Sequence, residues 1–492
     1  MSRLLALLLC VLLAVPCATN AAPKAPAKKT AKPAAAAPAN NEASAYHRAI
    51  EAIENGHSDQ AEAVLQHGHD PALNKVLMGL YMAQPGNSMT YRQISAFIDA
   101  HPDWPGLKGI LAIAEQKMPN DTPPSEVIAW YTAHPAVTTA GFTHATEALE
   151  ANGQSQLVPQ LVRARWIEND FGGEDLQTFH ARFSRYLDSD TEWARLDRLL
   201  WKNDSVGARR MFVYVDDDMK AVADARLALA NQNGNADAFI ERVPGSWQNT
   251  PGLLYERLRW RVKNNMDDEA LDILRRAPQE LGKQEAWWEQ RQIIIRRLLM
   301  AHDYDMAYRL SAQHGQTDPK TLIQGEFLAG WIALRFLNNP DRAVTHFQTL
   351  YDNASTPVSR ARGAYWLGRS YEALQDKDGA EQAYETASAL NITYYGQLAS
   401  MRLYEQPTIT AQPEPTIPGP TRQSFYNRDL IRAVERLHAI GEDDHVHAFF
   451  HAAVEAATQR SDFALLTELA YQIGRPDYAI EAAKAANQRN MM

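Results

Sequence analysis

Cysteine is almost missing from this sequence: two occur in 492 residues, Cys10 and Cys17, both inside the first 22. Once that stretch is removed, no disulfide framework and no thiolate metal site can form. Basic charge is also in short supply, since 49 Lys and Arg against 59 Asp and Glu leave a formal net charge of -10. Phosphate binding rests on Lys and Arg, so an acidic body argues against nucleic acid as the partner. It equally weakens any picture of the whole surface adhering to an anionic polymer. No phosphate-cradling glycine loop, nucleophile elbow or paired-His zinc helix of the usual type occurs. Past residue 22 no apolar run approaches the length of a membrane span, and none is expected in the mature chain. Strand signals are nearly absent; the best, "FVYVDDD" at 212–218, reads as helix plus loop.

The first residues, "MSRLLALLLCVLLAVPCATNAAPK", carry one positive side chain, Arg3, ahead of an apolar run from Leu4 to Val15, then small residues. That is the layout of a cleavable export signal over 1–22, cut after Ala21 or Ala22, and it places the mature chain in the periplasm. Lipidation would need a small residue before Cys17, where Pro16 stands. Residues 23–45 form an Ala/Pro/Lys tether too poor in apolar surface to order itself, read as a solvated spacer. Losing Arg3 with the leader takes the net charge to -11, and losing the four tether lysines and Glu42 takes the body to -14.

What the body does have is a repeat. Asp followed two residues later by Ala recurs at Asp59/Ala61, Asp268/Ala270, Asp305/Ala307, Asp341/Ala343, Asp378/Ala380 and Asp477/Ala479, and the middle four alanines lie 37, 36 and 37 residues apart. Asp at a helix start suits the positive end of the dipole and is expected to accept a bond from an orphan backbone N–H. Ala two positions on lets that helix approach its neighbour closely. Phe327, Trp331 and Leu334 before one turn, and Val344, Phe347 and Leu350 after it, fall at helical spacing. Trp331 and Trp366 hold matching places, as do Phe347 and Tyr384. One such hairpin cannot bury its apolar face alone, whereas a stack makes a continuous core.

The fold class expected is therefore all-α: a solenoid of tetratricopeptide-like helix pairs from 46 to 404, curved or ring-shaped. A proline-rich connector at 405–421 and a small four-helix module at 422–492 follow it. Chemistry is sparse. His447, His451 and Glu455 lie one helical turn apart each and share a face that suits a divalent ion, but the plainer reading is a polar surface, so no metal site is assigned. Trp260, Trp287, Trp288, Trp331 and Trp366 suit sugar stacking, but at repeat positions they read as core.

The stretch "NITYYGQLASMRL", Asn391 to Leu403, breaks the helical rhythm. With Tyr-Trp-Leu-Gly-Arg at 365–369, its Thr-Tyr-Tyr-Gly-Gln run resembles the end of the superhelical domain of soluble lytic murein transglycosylases. "HPDWPG", "AWWEQR", "AYRLSAQH" and "FLAGWIALR" upstream look like the same family, so the likeness covers most of 90–404; residues 425–486 resemble its linker helices. The resemblance implies a ring or horseshoe carrying a lysozyme-like domain, in which one glutamate cleaves between N-acetylmuramic acid and N-acetylglucosamine to leave a 1,6-anhydro end. That glutamate sits in a Glu-Ser motif with a Gly-Leu-Met-Gln run beyond it. Here no glutamate is followed by serine and no methionine by glutamine. Only 72 residues follow Pro420, and four helices take them up, where a further domain needs about 100 or more.

The expectation is a family scaffold without its chemical site: no catalytic residue, no cofactor, and peptidoglycan glycan strands or a cell-wall enzyme as partner. Tyr394, Tyr395, Gly396 and Gln397 are the candidate binding residues, Gly396 allowing a close backbone approach and the two rings either closing the core or facing a partner. A protein-binding adaptor and a truncated gene product of a murein-cleaving enzyme are the competing readings.

Overall fold

The computed structural model describes residues 41–57, 59–232, 234–278, 280–405, 415–489 and 491. The leader, nearly all of the tether and most of the connector therefore lie outside the described residues. Two units are distinguished, Met1–Ser44 and Ala45–Met492. Of the first only 41–44 are described, and they are helical; the account below concerns the second.

Among the described residues there are twenty-seven α-helices and no strand. The strand-like "FVYVDDD" becomes a 3-10 turn at Met211–Val213 and the start of the helix Asp217–Ala230, whose cap Asp216 accepts the Met219 N–H. Proline sits in the first turn of Pro71–Met82, Pro251–Lys263, Pro319–Arg335, Pro340–Asn353, Pro357–Ala373 and Pro476–Gln488. There its missing N–H costs nothing and its fixed φ favours the helix, so an all-helical chain accommodates many prolines. No helix among the described residues is long and apolar enough to cross a membrane.

The repeat turns differ from expectation in one respect. In three of the repeats the recurring Asp, at 305, 341 and 378, stands second in its helix and does not take the cap bond. In the helices Tyr304–Ala312, Pro340–Asn353 and Lys377–Ser388 the residue two positions earlier does so: Asp303, Asn339 and Asp376 accept the N–H of Met306, Arg342 and Gly379. Only the dipole part of the argument applies to Asp305, Asp341 and Asp378. Before each cap stands a residue with positive φ: His302 at 63°, Asn338 at 49°, Gln375 at 61°. The hairpin thus turns through one left-handed residue that ends the first helix and a capping side chain that starts the second. Left-handed backbone costs an L-residue about 1–2 kcal/mol, and glycine gives back part of that through chain entropy. Gln375→Gly is therefore expected to stabilise the chain by about 0.5–1 kcal/mol, read as a shift of the urea midpoint at unchanged slope. A midpoint that fell would show that the Gln375 side chain contributes more than its backbone costs.

The alanines of the repeat do what their size allows. Ala270, Ala307 and Ala343 are fully buried, and Ala380 nearly so. The tryptophans interlock the repeats: Trp366 stacks on Phe347 of the preceding pair at 5.7 Å and meets Phe327 edge-on at 6.1 Å. Trp287, Trp288, Trp331 and Trp366 are all buried, while Trp260 is half-buried. The four buried rings are core and offer no free face to a sugar.

From Gly419, inside the stretch expected to be connector, come five helices, where four are expected from the sequence. The run "FYNRDLIRAVERLHAIG" breaks at Asn427 and Arg428, giving Gly419–Tyr426 and Asp429–Ile440; Asp443–Glu455, Arg460–Gln472 and Pro476–Gln488 follow. This module packs back on the start of the array. One continuous apolar core takes Tyr46, Ile50, Leu77 and Ile98 from the first helices and Trp104 from a turn between them, and Phe425, Val434, Leu437 and Phe449 from the last helices. Trp104 meets Phe449 edge-on at 5.0 Å. Around the seam Lys75 pairs with Asp429 at 2.7 Å, Arg436 with Asp70 at 3.2 Å, and His445 with Glu54 at 3.1 Å. The succession of helices in this unit closes on itself.

Candidate functional site

Thr393 caps the helix Tyr394–Tyr404 by accepting the Gly396 N–H, at 3.1 Å. At Gly396 the chain passes close to the end of the preceding helix. A Cβ there would lie 2.1 Å from the Leu390 carbonyl oxygen and 2.9 Å from that of Ala387. Only glycine lets this helix begin so close to the end of the preceding one. The two tyrosines part company. Tyr395 is half-buried against Tyr365, ring centroids 5.5 Å apart, and Tyr365 also touches Tyr384 at 5.7 Å. Burial pushes the Tyr395 hydroxyl above its ordinary range. Tyr394 is 59 % exposed, and Met401 and Tyr404 further along the same helix are exposed too. Gln397 is half-buried. One ring therefore closes the core and the other is open to solvent.

The polar face of Asp443–Glu455 is divided between two neighbours. His451 and His447 both reach Glu481, at 2.7 and 3.4 Å, whereas Glu455 pairs with Arg489 at 3.1 Å. The three side chains do not converge.

Where sequence reasoning placed no site, the structure gathers charge. "AWWEQR" ends the first turns of the helix Gln284–Met300, and "AYRLSAQH" runs through Tyr304–Ala312 to His314. Arg291 from the first, and Arg309 and His314 from the second, line a cavity of about 560 Å³. His314 is held rigidly. Its Nδ1 accepts the Gln316 N–H at 2.9 Å, so the proton is on Nε2, 3.2 Å from Glu326 Oε1. His346 Nδ1 lies 2.6 Å from the other oxygen, and its Nε2 meets the Tyr308 hydroxyl at 3.1 Å. Burial pushes Glu326 up, but the hydrogen bonds from both imidazoles outweigh it and hold the carboxyl at about 2. Glu326 is thus an anion spoken for on both oxygens.

A proton donor for glycoside cleavage must be a carboxylic acid that keeps its proton near neutral pH, inside a cleft a sugar can enter. Glu192 meets the first condition. It is 5 % exposed, and burial raises it to about 7 against the opposing pull of the Trp166 N–H and Arg195. It fails the second. Its oxygens bind Trp166 Nε1 and His180 Nε2, each at 3.0 Å. Around that pair pack Phe171, Phe179 and Tyr214. Neither the 560 Å³ cavity nor a smaller one of about 150 Å³ beside Arg335 and Arg369 is lined by it. Glu192 followed by Trp193 carries no catalytic motif, and only the tertiary aromatic cage reveals its state.

No family model matches the sequence, and no curated protein does. Solved structures do. Lytic transglycosylase Slt from Pseudomonas aeruginosa, as an inactive mutant, superposes over 90% of this chain and 70% of its own with a TM-score of 0.65 and 17% identity. The 70-kDa soluble lytic transglycosylase from Escherichia coli matches over 92% of this chain and 72% of its own, TM-score 0.55, at 14% identity. A complex of the 70-kDa soluble lytic transglycosylase with bulgecin A matches over the same shares at 0.55 and 15%. The chain has the helical fold of those proteins.

Proposed function

We propose that this chain is an exported scaffold of the soluble lytic murein transglycosylase family, which binds peptidoglycan or supports its turnover without cleaving glycan itself. The observation that carries the reading is the shared fold along nine-tenths of the chain. The Thr-Tyr-Tyr-Gly-Gln run supports it, with Gly396 making the close approach that such a motif requires. The non-cleaving part is supported by the missing Glu-Ser pair and by the sealed surroundings of Glu192. A cell-wall enzyme acting in trans is the protein partner proposed, and the exposed Tyr394, Met401 and Tyr404 offer it an apolar edge. Export to the periplasm rests on the signal-like first 22 residues.

The test is incubation of the purified mature chain with murein sacculi, followed by sedimentation and product analysis. Retention in the pellet without anhydromuropeptide release is expected. Released anhydromuropeptides would overturn the non-cleaving part, and a wash-through chain would overturn wall binding.

A further inference from the structure

The cavity between the helices Gln284–Met300 and Tyr304–Ala312 holds a positive charge that the protein leaves unbalanced. Arg291 is 5 % exposed and donates to the Leu310 carbonyl at 3.1 Å; no carboxylate pairs with it among the described residues. Burial alone draws its guanidinium down to about 10. Arg275 and Arg309 line the same space, and no acidic residue does among the described ones. Glu326, reached through His314, has both oxygens committed to imidazoles. A buried cation without a counter-ion is unfavourable in a finished structure, and a bound anion removes the penalty. Beside Gln313 and His314 the wall is apolar, with Leu274, Leu281 and Met306. Inorganic phosphate would leave those side chains facing water.

We propose that this cavity binds a carboxylate carried on a short apolar stem, as at the C-terminus of a small peptide. The planar fork of Arg291 suits a two-oxygen acceptor, and Arg309 at the rim adds a second donor. A volume of about 560 Å³ lies within the range of small-ligand sites. Two sources carry this chemistry: the D-alanyl end of a wall stem peptide and the L-end of a protein. The first source rests on the peptidoglycan reading; the carboxylate site does not.

Isothermal titration of the full mature chain tests it with four probes: N-acetyl-D-alanyl-D-alanine, its C-terminal amide, N-acetyl-L-alanyl-L-alanine and inorganic phosphate. Saturable binding of one acid is expected, about tenfold weaker for the amide, since a hydrogen bond to a charged group is lost, and abolished by Arg291→Met. Arg309→Ala, an exposed rim position, should weaken binding severalfold at unchanged Tm, which keeps the test decisive if Arg291→Met fails to fold. Tighter binding of the D-acid assigns the wall peptide, and of the L-acid a protein terminus. The proposal is overturned if neither acid binds at millimolar concentration, if the amide or phosphate binds as tightly, or if Arg309→Ala changes nothing. Loss of sacculus retention with peptide binding intact removes the wall reading alone, and the reverse removes this one alone.

Discussion

Trp104→Ala should open the helical array at its seam. Trp104 and Phe449 are 5 % and 2 % exposed, and Phe97 lies edge-on to the same indole at 5.4 Å. Beneath the ring is Gly79, where a Cβ would come within 2.4 Å of the indole nitrogen. Truncating such a side chain costs about 3–5 kcal/mol, through lost transfer energy and the cavity left behind. The ion pairs around the seam are half-exposed and contribute about 0–1 kcal/mol each, less in salt. Apolar contact, with Trp104 at its centre, therefore outweighs charge in the closure. For Trp104→Ala we expect a larger radius of gyration by X-ray scattering and faster amide exchange in both Pro71–Met82 and Asp429–Ile440. For the unaltered chain in high salt we expect neither. Identical scattering for the two chains would show that the ends hold together without this contact, and opening by salt alone would assign the closure to charge.

How much of this was legible beforehand depends on the distance over which each feature is encoded. The repeat is local: Asp341, Ala343 and Phe347 sit within one helix, so helical periodicity displays them and the all-α stack follows. The cap assignment was wrong by two residues, because Asp303 and Asp305, or Asp376 and Asp378, are equally good candidates by composition. Only the left-handed residue before the cap, Gln375 or His302, settles which one bonds. The seam was not legible. Trp104 and Phe449 are separated by most of the chain and neither lies in a repeat, so the "HPDWPG" run showed a breaker without its partner. Nor was the cavity, although both of its segments stood out as motifs. A sequence gives Arg291 and Arg309 the same charge. It does not show that one is buried without a carboxylate and the other left at the rim. The Tyr-Tyr-Gly run was half-readable: Gly396 announces a close approach, but which tyrosine turns inward depends on Tyr365, a helix away.

Glu192→Gln should remove a pH dependence of stability between about pH 4.5 and 7. In the folded chain burial holds the Glu192 carboxyl at about 7, against an ordinary value of 4.5. His180, its partner, is drawn down by burial. Both shifts favour the neutral pair. A carboxyl whose folded value is raised binds its proton more tightly when folded, so its stabilising effect is complete below the unfolded value and lost as pH rises through the folded one. The difference of about 2.5 units corresponds to roughly 3 kcal/mol across that window, or about 3 °C in Tm for a cooperative unit of this size. Glutamine keeps the shape, accepts the Trp166 N–H and donates to His180, but has no proton to lose. The variant should match the parent at pH 4.5 and melt higher by about 3 °C at pH 8. Glu192→Ala should be less stable at both, because it leaves the buried Trp166 N–H without an acceptor. The difference between parent and glutamine variant, measured by scanning calorimetry across the range, isolates this one group. A flat difference would mean that Glu192 is ionised throughout and held so by Arg195, and the sealed, protonated acid described above would then be discarded.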